Sequence, residues 1–294
     1  MKRLIAHPAA PTAALILATA IWGLAFLITR GAVAGVPVLP FIALRFATAA
    51  ITVRAATGAR LSDSTRTDLR AGMLLGLAML AGYALQAEGL RTLPAGKTAF
   101  ISALYVPLVP IIQSIVSRRL PAPRLWGSII LACAGLMLMT GASPSAAAGP
   151  VGRGEVFALA GAFAIAAEII LVGRFAPRVD PRRLAIIECG LVSMLSLTLF
   201  MLSAQNLPAP HIAWIACGLG LGGASAFLQI SSNWAMRAVP PTRATLIFAT
   251  EPVWAAGFGL LAGETMPPGA ILGGGLILGA LVIGAWPRKD VVLF

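Results

Sequence analysis

Ten apolar stretches divide this chain of 294 residues. They cover residues 12–29, 36–53, 71–90, 98–116, 125–140, 156–172, 184–204, 212–236, 244–263 and 270–286, and most are 17 to 21 residues long. A helix rises about 1.5 Å per residue, so about 20 residues cross ~30 Å of hydrocarbon. Lipid offers the backbone no hydrogen-bond partner, which leaves only helices and closed barrels as spanning structures. Barrel strands would alternate polar and apolar residues over about 10 positions. These stretches are apolar all round, and they predict an all-α integral membrane protein with ten transmembrane helices.

Charge supports the same count. Hydrophobic residues make up 59% of the chain and charged ones 11%, against about 25% charged in soluble domains. The formal charge of +12 is spread over alternate loops, which argues against nucleic acid as its cause. With a cytoplasmic N-terminus, seventeen of the twenty-two Lys and Arg residues fall on the inner side: Lys2, Arg3, Arg54, Arg60, Arg66, Arg70, Arg118, Arg119, Arg124, Arg174, Arg178, Arg182, Arg183, Arg237, Arg243, Arg288 and Lys289. Arg30, Arg91, Lys97 and Arg153 fall outside, and Arg45 lies within a span. The positive-inside rule then places both termini in the cytoplasm. Met1-Lys2-Arg3 with the apolar run behind it has the outline of a cleaved signal, but losing that span would break the alternation. Cys133, Cys189 and Cys217 all fall within spans and read as small packing residues rather than a disulfide framework.

The chain also repeats itself. Leu93-Pro94-Ala95-Gly96-Lys97-Thr98 aligns with Val239-Pro240-Pro241-Thr242-Arg243-Ala244, and at the same offset of 146 Pro121 falls on Pro267 and Gly127 on Gly273. Five spans per half mean that the second half starts on the opposite side of the membrane. The expected architecture is therefore two inverted five-helix repeats around a central cavity, an arrangement that many secondary transporters use. Residues 1–141 form the first repeat, 142–154 a linker, and 155–294 the second repeat with a short C-terminal tail.

Several motifs carry a family resemblance over residues 12–286. They are Ile21-Trp22-Gly23, Leu44-Arg45-Phe46, the Leu-Pro-Ala-Gly-Lys-Thr turn before a span with Pro107, Glu251-Pro252-Val253, and Leu261-Ala262-Gly263-Glu264. In order and spacing the chain resembles the EamA-like branch of the drug/metabolite transporter superfamily, and within it exporters of aromatic amino acids of the YddG type. The resemblance implies export of amino acids, aromatic ones first, and related small metabolites across a bacterial inner membrane by alternating access. The first half departs from the pattern, because Arg118-Arg119-Leu120 stands where the family usually places Gly-Glu.

Charges inside spans cost roughly 2.5–3.5 kcal/mol each on insertion scales, and they mark partners or wet cavities. Glu251, beside Pro252, falls near mid-membrane. It either accepts a hydrogen bond from a substrate amine or takes up a proton, or it marks a helix kink with its carboxyl neutral or paired. Tyr105 stands at the matching offset, followed by Pro107 and Pro110, so both halves interrupt a helix there. Arg45 either holds a substrate carboxylate or pairs with Glu188. Glu168, opposite Trp22 in the repeat, either lines the cavity or closes a helix contact. Trp22 and Phe26 share one helix face, as do Tyr83 and Gln86, and Gln229 and Trp254 complete the candidate substrate site. Helix packing with polar contacts is the competing explanation for each of these side chains.

Other chemistry is poorly supported. Gly96-Lys97-Thr98 lacks the first glycine of a phosphate loop, and the Gly218–Gly223 run lies inside a span. Pairs such as Gly72/Gly76, Gly259/Gly263, Gly269/Gly273 and Gly275/Gly279 read as helix approach points. His7 and His211 lie outside or at the edges of spans, so no nucleophile is activated within them. The expectation is a carrier, not an enzyme, with no cofactor or metal. Its partners would be a small-molecule substrate and the lipid bilayer, with no nucleic acid, and a monomer rather than a homodimer is expected. A nucleoside-like compound, a quaternary amine or another amphipathic substrate is the alternative within the same fold, and an intramembrane enzyme or a scaffold the alternative outside it.

Overall fold

The computed structural model describes residues 9–32, 37–93, 95–118, 120, 122–140, 152–203, 212–263 and 268–285. Its regular elements are helices: α1 (Ala10–Ala32), α2 (Val38–Thr57), α3 (Arg66–Thr92), α4 (Ala95–Ser102), α5 (Tyr105–Ser117), α6 (Pro123–Thr140), α7 (Arg153–Phe175), α8 (Pro181–Leu202), α9 (Ile212–Ala235), α10 (Pro241–Phe248), α11 (Glu251–Leu261) and α12 (Ala270–Ala285). Short 3-10 turns precede α3 and follow α7. Among the described residues, seven segments are long and apolar enough to cross a membrane, and three shorter apolar helices, within α1, α6 and α12, complete ten. The expected all-α, ten-span fold is thus present, with α4–α5 and α10–α11 each forming one broken span.

Local chemistry sets the helix ends. Thr65 caps α3: its hydroxyl accepts from Asp68 N at 3.1 Å, while the Asp68 carboxylate accepts from Thr65 N at 2.9 Å. This reciprocal cap satisfies two donors that a helix start leaves open. It also carries α3 back to Arg66, five residues before the apolar run. Asp180 caps α8 ahead of Pro181. At the end of α2, Gly58 takes φ +63°, a conformation that a side chain disfavours.

The two halves superpose in sequence at the level of single contacts. The break at Ala103-Leu104 recurs 146 residues later at Ala249-Thr250, so α4 and α5 match α10 and α11. Helices α2 and α8 start 143 residues apart. A Cβ on Gly72 would meet Ile187, and one on Gly76 would lie 3.1 Å from Glu188 O. Their counterparts Gly218 and Gly222 face Leu44 and, at 2.7 Å, Arg45 O. Two Gly-x-x-x-Gly pairs therefore seat α3 on α8 and α9 on α2 in the same way, as small residues do where helices approach closely. The remaining packing obeys the same symmetry: α3 meets α7 as α9 meets α1, α5 meets α7 as α11 meets α1, and α6 pairs with α12. The halves interlock instead of standing side by side.

Two expectations need correction. The helix breaks fall just before the prolines. Pro252 is the second residue of α11 and Pro107 the third of α5, first-turn positions where no intrahelical donor is lost. Pro110 alone lies inside a helix. The expected linker is also shorter at its end, because Arg153 and Gly154 belong to α7. Residues 141–151, Glu264, Trp286 and the side chain of Phe26 lie outside the described residues.

Candidate functional site

Four pairs of candidate site residues occupy equivalent positions in the two halves: Trp22 with Glu168, Arg45 with Glu188, Tyr83 with Gln229, and Tyr105 with Glu251. The first half supplies aromatic rings and a cation. The second supplies three carboxylates and an amide. These positions are symmetric in the repeat and asymmetric in chemistry.

Tyr83 lies within electrostatic range of Arg45, Glu168 and Glu251. The Arg45 guanidinium stands 5.8 Å from the Tyr83 ring centre and 5.4 Å from that of Phe46, distances at which a cation is attracted to a ring face. The Phe46 and Tyr83 rings meet edge to face at 5.3 Å. Arg45 is 6% exposed, and its Nε donates to Ser225 Oγ at 2.8 Å. That bond fixes the guanidinium. Its terminal nitrogens take no protein acceptor among the described residues.

The acids divide into two kinds. Glu188 is 2% exposed, and its Oε1 accepts from Asn233 Nδ2 at 2.8 Å. The expected Arg45–Glu188 ion pair is absent among the described residues, because each partner is held by α9 instead, through Ser225 and Asn233. Glu168 and Glu251 are half-buried, and among the described residues neither takes a protein hydrogen bond or ion pair. Glu251 is the first residue of α11, so it sits at the positive end of a half-helix that begins inside the bundle. It lies within Coulombic range of Arg45 and Tyr105.

Helix α1 backs this region. The Trp22 ring meets Phe248 edge to face at 5.3 Å, and the Thr19 and Thr250 hydroxyls lie 3.3 Å apart. A Cβ on Gly23 would lie 2.7 Å from Ala255 N. Only glycine lets α1 cross α11 this closely, which explains the Trp-Gly pair in the sequence. Trp254 has its Cβ at the same crossing and is 37% exposed. Gln229 is buried, with its amide donating to Met79 Sδ at 2.9 Å, and Gln86 is half-buried where α3 crosses α7. Sequence reasoning missed Asn233 and Phe248. Asn233 stands one turn past Gln229, in line with the other polar residues of α9. Among the described residues no group of three His, Cys, Asp or Glu side chains could hold a metal.

The model of the EamA-like transporter family matches residues 11–141 and again residues 152–285. The chain belongs to the EamA-like transporter family. The two matches fall on the two halves of the fold. An uncharacterized transporter of Archaeoglobus fulgidus is 26% identical over 218 residues, which cover 74% of this chain and 68% of that one. A solved crystal structure shares the fold with a TM-score of 0.79 at 18% identity, covering 95% of this chain and 98% of the other.

Proposed function

We propose that this EamA-family transporter is a secondary carrier that exports aromatic amino acids and related small metabolites by alternating access, from a bacterial cytoplasm in which both termini lie. One observation supports this reading above the rest. Arg45 and Glu251 bring groups of opposite sign into one site around Tyr83, and among the described residues neither forms an ion pair. A zwitterion supplies both missing partners, its carboxylate to the Arg45 terminal nitrogens and its ammonium to Glu251. Bidentate Arg–carboxylate recognition suits a guanidinium already fixed at Nε. Trp22, Tyr83 and Tyr105 offer ring faces and edges to an aromatic side chain. The half-helices that start at Tyr105 and Glu251 match the interrupted helices around which inverted-repeat carriers rock.

A second reading has its own support. Glu168 adds a second carboxylate within electrostatic range of Tyr83, without a protein hydrogen bond or ion pair among the described residues, so the site favours the amine over the carboxylate. An amphipathic organic cation without a carboxylate fits that excess.

Counterflow in proteoliposomes separates these readings. Vesicles loaded with unlabelled phenylalanine, tyrosine or tryptophan should accelerate uptake of the labelled amino acid. Acceleration by phenethylamine but not by phenylalanine would replace the first reading with the second, and acceleration by neither would sink both.

A further inference from the structure

The repeat makes the interfaces α3/α8 and α9/α2 equivalent through their Gly-x-x-x-Gly pairs, yet their ends are built from different chemistry. Where α3 meets the start of α8, Asp68 is 1% exposed. Its carboxylate accepts from Thr65 N and Oγ1 at 2.9 and 3.0 Å and from Asp180 N at 3.4 Å. Arg183 Nε approaches it at 3.2 Å as an ion pair, without the alignment of a hydrogen bond. Two sequence-distant elements are thus held by one buried carboxylate.

At the other end, the position equivalent to Asp68 is Trp214, and those equivalent to Asp180 and Arg183 are Pro37 and Pro40. Trp214 packs with Ala25, Phe41, Cys217 and Leu221, an apolar cluster from α1, α2 and α9. The three equivalent positions there carry no charged side chain. In a fold whose halves rock, one of these interfaces must loosen when the other tightens.

We propose that the Asp68–Arg183 contact is an ionic latch, holding shut the end of the bundle where α3 and α8 begin, opposed across the membrane by an apolar closure at Trp214 and Phe41. The latch acts on the conformational equilibrium whatever is carried. A buried pair loses most when one partner is removed, because the remaining charge stays buried and uncompensated. The cleft of about 250 Å3 beside it, lined by Arg60, Asp63 and Arg182 among others, admits ions to the outer Asp180–Arg182 pair, of which Arg182 is 41% exposed. Arg183 lines the same cleft and is 24% exposed, while Asp68 is 1% exposed, so salt screens the outer pair and weakens the latch from its Arg183 side.

The test is a distance measurement between spin labels on exposed positions at this end, Thr67→Cys on α3 and Arg178→Cys before α8. The three native cysteines are first replaced by alanine. The parent should give one short distance, and Arg183→Lys should preserve it. Asp68→Asn and Arg183→Gln should each add a longer-distance population at least fivefold above the parent's. Trp214→Ala, which loosens the opposing closure, should restore the short distance when combined with Asp68→Asn. Parent-like distances in both charge-removing variants, with the protein folded and monodisperse, would overturn the latch. So would an Arg183→Lys distribution matching that of Arg183→Gln, since charge would then not be what holds the contact. Variants that fail to fold are replaced by a titration of the parent through 1 M salt, where the longer-distance population should grow; a distribution unchanged through 1 M salt would also overturn the proposal.

Discussion

Arg45 and Glu188 occupy equivalent positions in the two halves, each with its carbonyl against the second glycine of a facing pair, and each reaches a different polar residue of α9. Arg45 donates to Ser225 and Glu188 accepts from Asn233, both at 2.8 Å. Opposite charges at equivalent sites are thereby kept apart, which leaves the Arg45 terminal nitrogens available to a ligand.

The separate roles can be read from substitutions. Glu188→Gln keeps an acceptor for Asn233 and should leave stability within about 0.5 kcal/mol, as for changes that preserve the local features. Glu188→Leu strands the buried amide and should cost about 1–3 kcal/mol. Thermal unfolding in detergent checks the pair; equal losses in both variants would show that the Asn233 bond is not what Glu188 supplies. Ser225→Ala should lower transport with little loss of stability, because it frees the guanidinium without removing it.

The glycine seats predict a sharp contrast on one helix. A Cβ on Gly222 would lie 2.7 Å from Arg45 O and still closer to Thr48 Cβ, whereas one on Gly220 meets nothing within 4 Å. Gly222→Ala should therefore destabilise by about 1–3 kcal/mol through overpacking. Gly220→Ala should be neutral or stabilise by up to about 1 kcal/mol through helix propensity. Unfolding midpoints in the same micelle decide it, and a harmless Gly222→Ala would mean that α9 and α2 sit farther apart.

Much of this fold is legible in the sequence because membrane helices are constrained by length and charge alone. The ten spans and the repeat follow from hydropathy, loop charge and a fixed offset, and the same offset singles out Glu168 and Glu251, which the structure brings with Arg45 into electrostatic range of Tyr83. Two kinds of fact do not. The break at Ala249-Thr250 leaves no residue signature of its own, since Pro252 is tolerated both as a kink and in a first turn. Partner choice is also invisible. Arg45 and Glu188 invite pairing by charge, but the backbone places a serine and an asparagine nearer, and periodicity carries no information about distances across helices.

Arg118 exposes a strain that the sequence only hints at. It ends α5 with φ 54°, in the left-handed region that costs an L-residue roughly 1–2 kcal/mol, and it opens the Arg118-Arg119-Leu120 stretch that stands where the family usually places Gly-Glu. Arg118→Gly should raise stability by up to about 1 kcal/mol, the gain being reduced by the greater freedom of glycine in the unfolded chain. An unfolding midpoint below the parent's would show that the arginine contributes more by contact than it loses by conformation.

Asp180 gives the protein a pH-dependent cap. Arg182 donates to it from Nε at 3.1 Å and Nη2 at 2.7 Å, and from its backbone at 2.8 Å. These side-chain bonds, ahead of the backbone one, hold the Asp180 carboxyl below its ordinary value. A depressed acid stabilises the fold above its unfolded pKa of about 3.9, and that share is lost as pH falls through the lower folded value. With Arg182 41% exposed, solvent screens the pair and limits its share to at most about 1 kcal/mol. Asp180→Asn, which keeps a competent cap, should flatten the decline in melting temperature below about pH 4. An unchanged acid slope would assign that decline to other carboxylates.

Glu251 and Tyr105 provide the decisive comparison at the site, since they open equivalent half-helices with different chemistry. If substrate amine is held by charge at the start of α11, Glu251→Gln should lower flux about tenfold or more, a loss of about 1.4 kcal/mol in transition-state terms. Tyr105→Phe, which leaves the ring in place, should change flux less than threefold. Trp22→Phe keeps a ring against Phe248 and should retain more flux than Trp22→Ala, separating support of the site from loss of fold. Initial rates of counterflow, normalised to inserted protein, measure all four. Normal flux in Glu251→Gln would remove Glu251 from the substrate site and leave its carboxylate without a transport role.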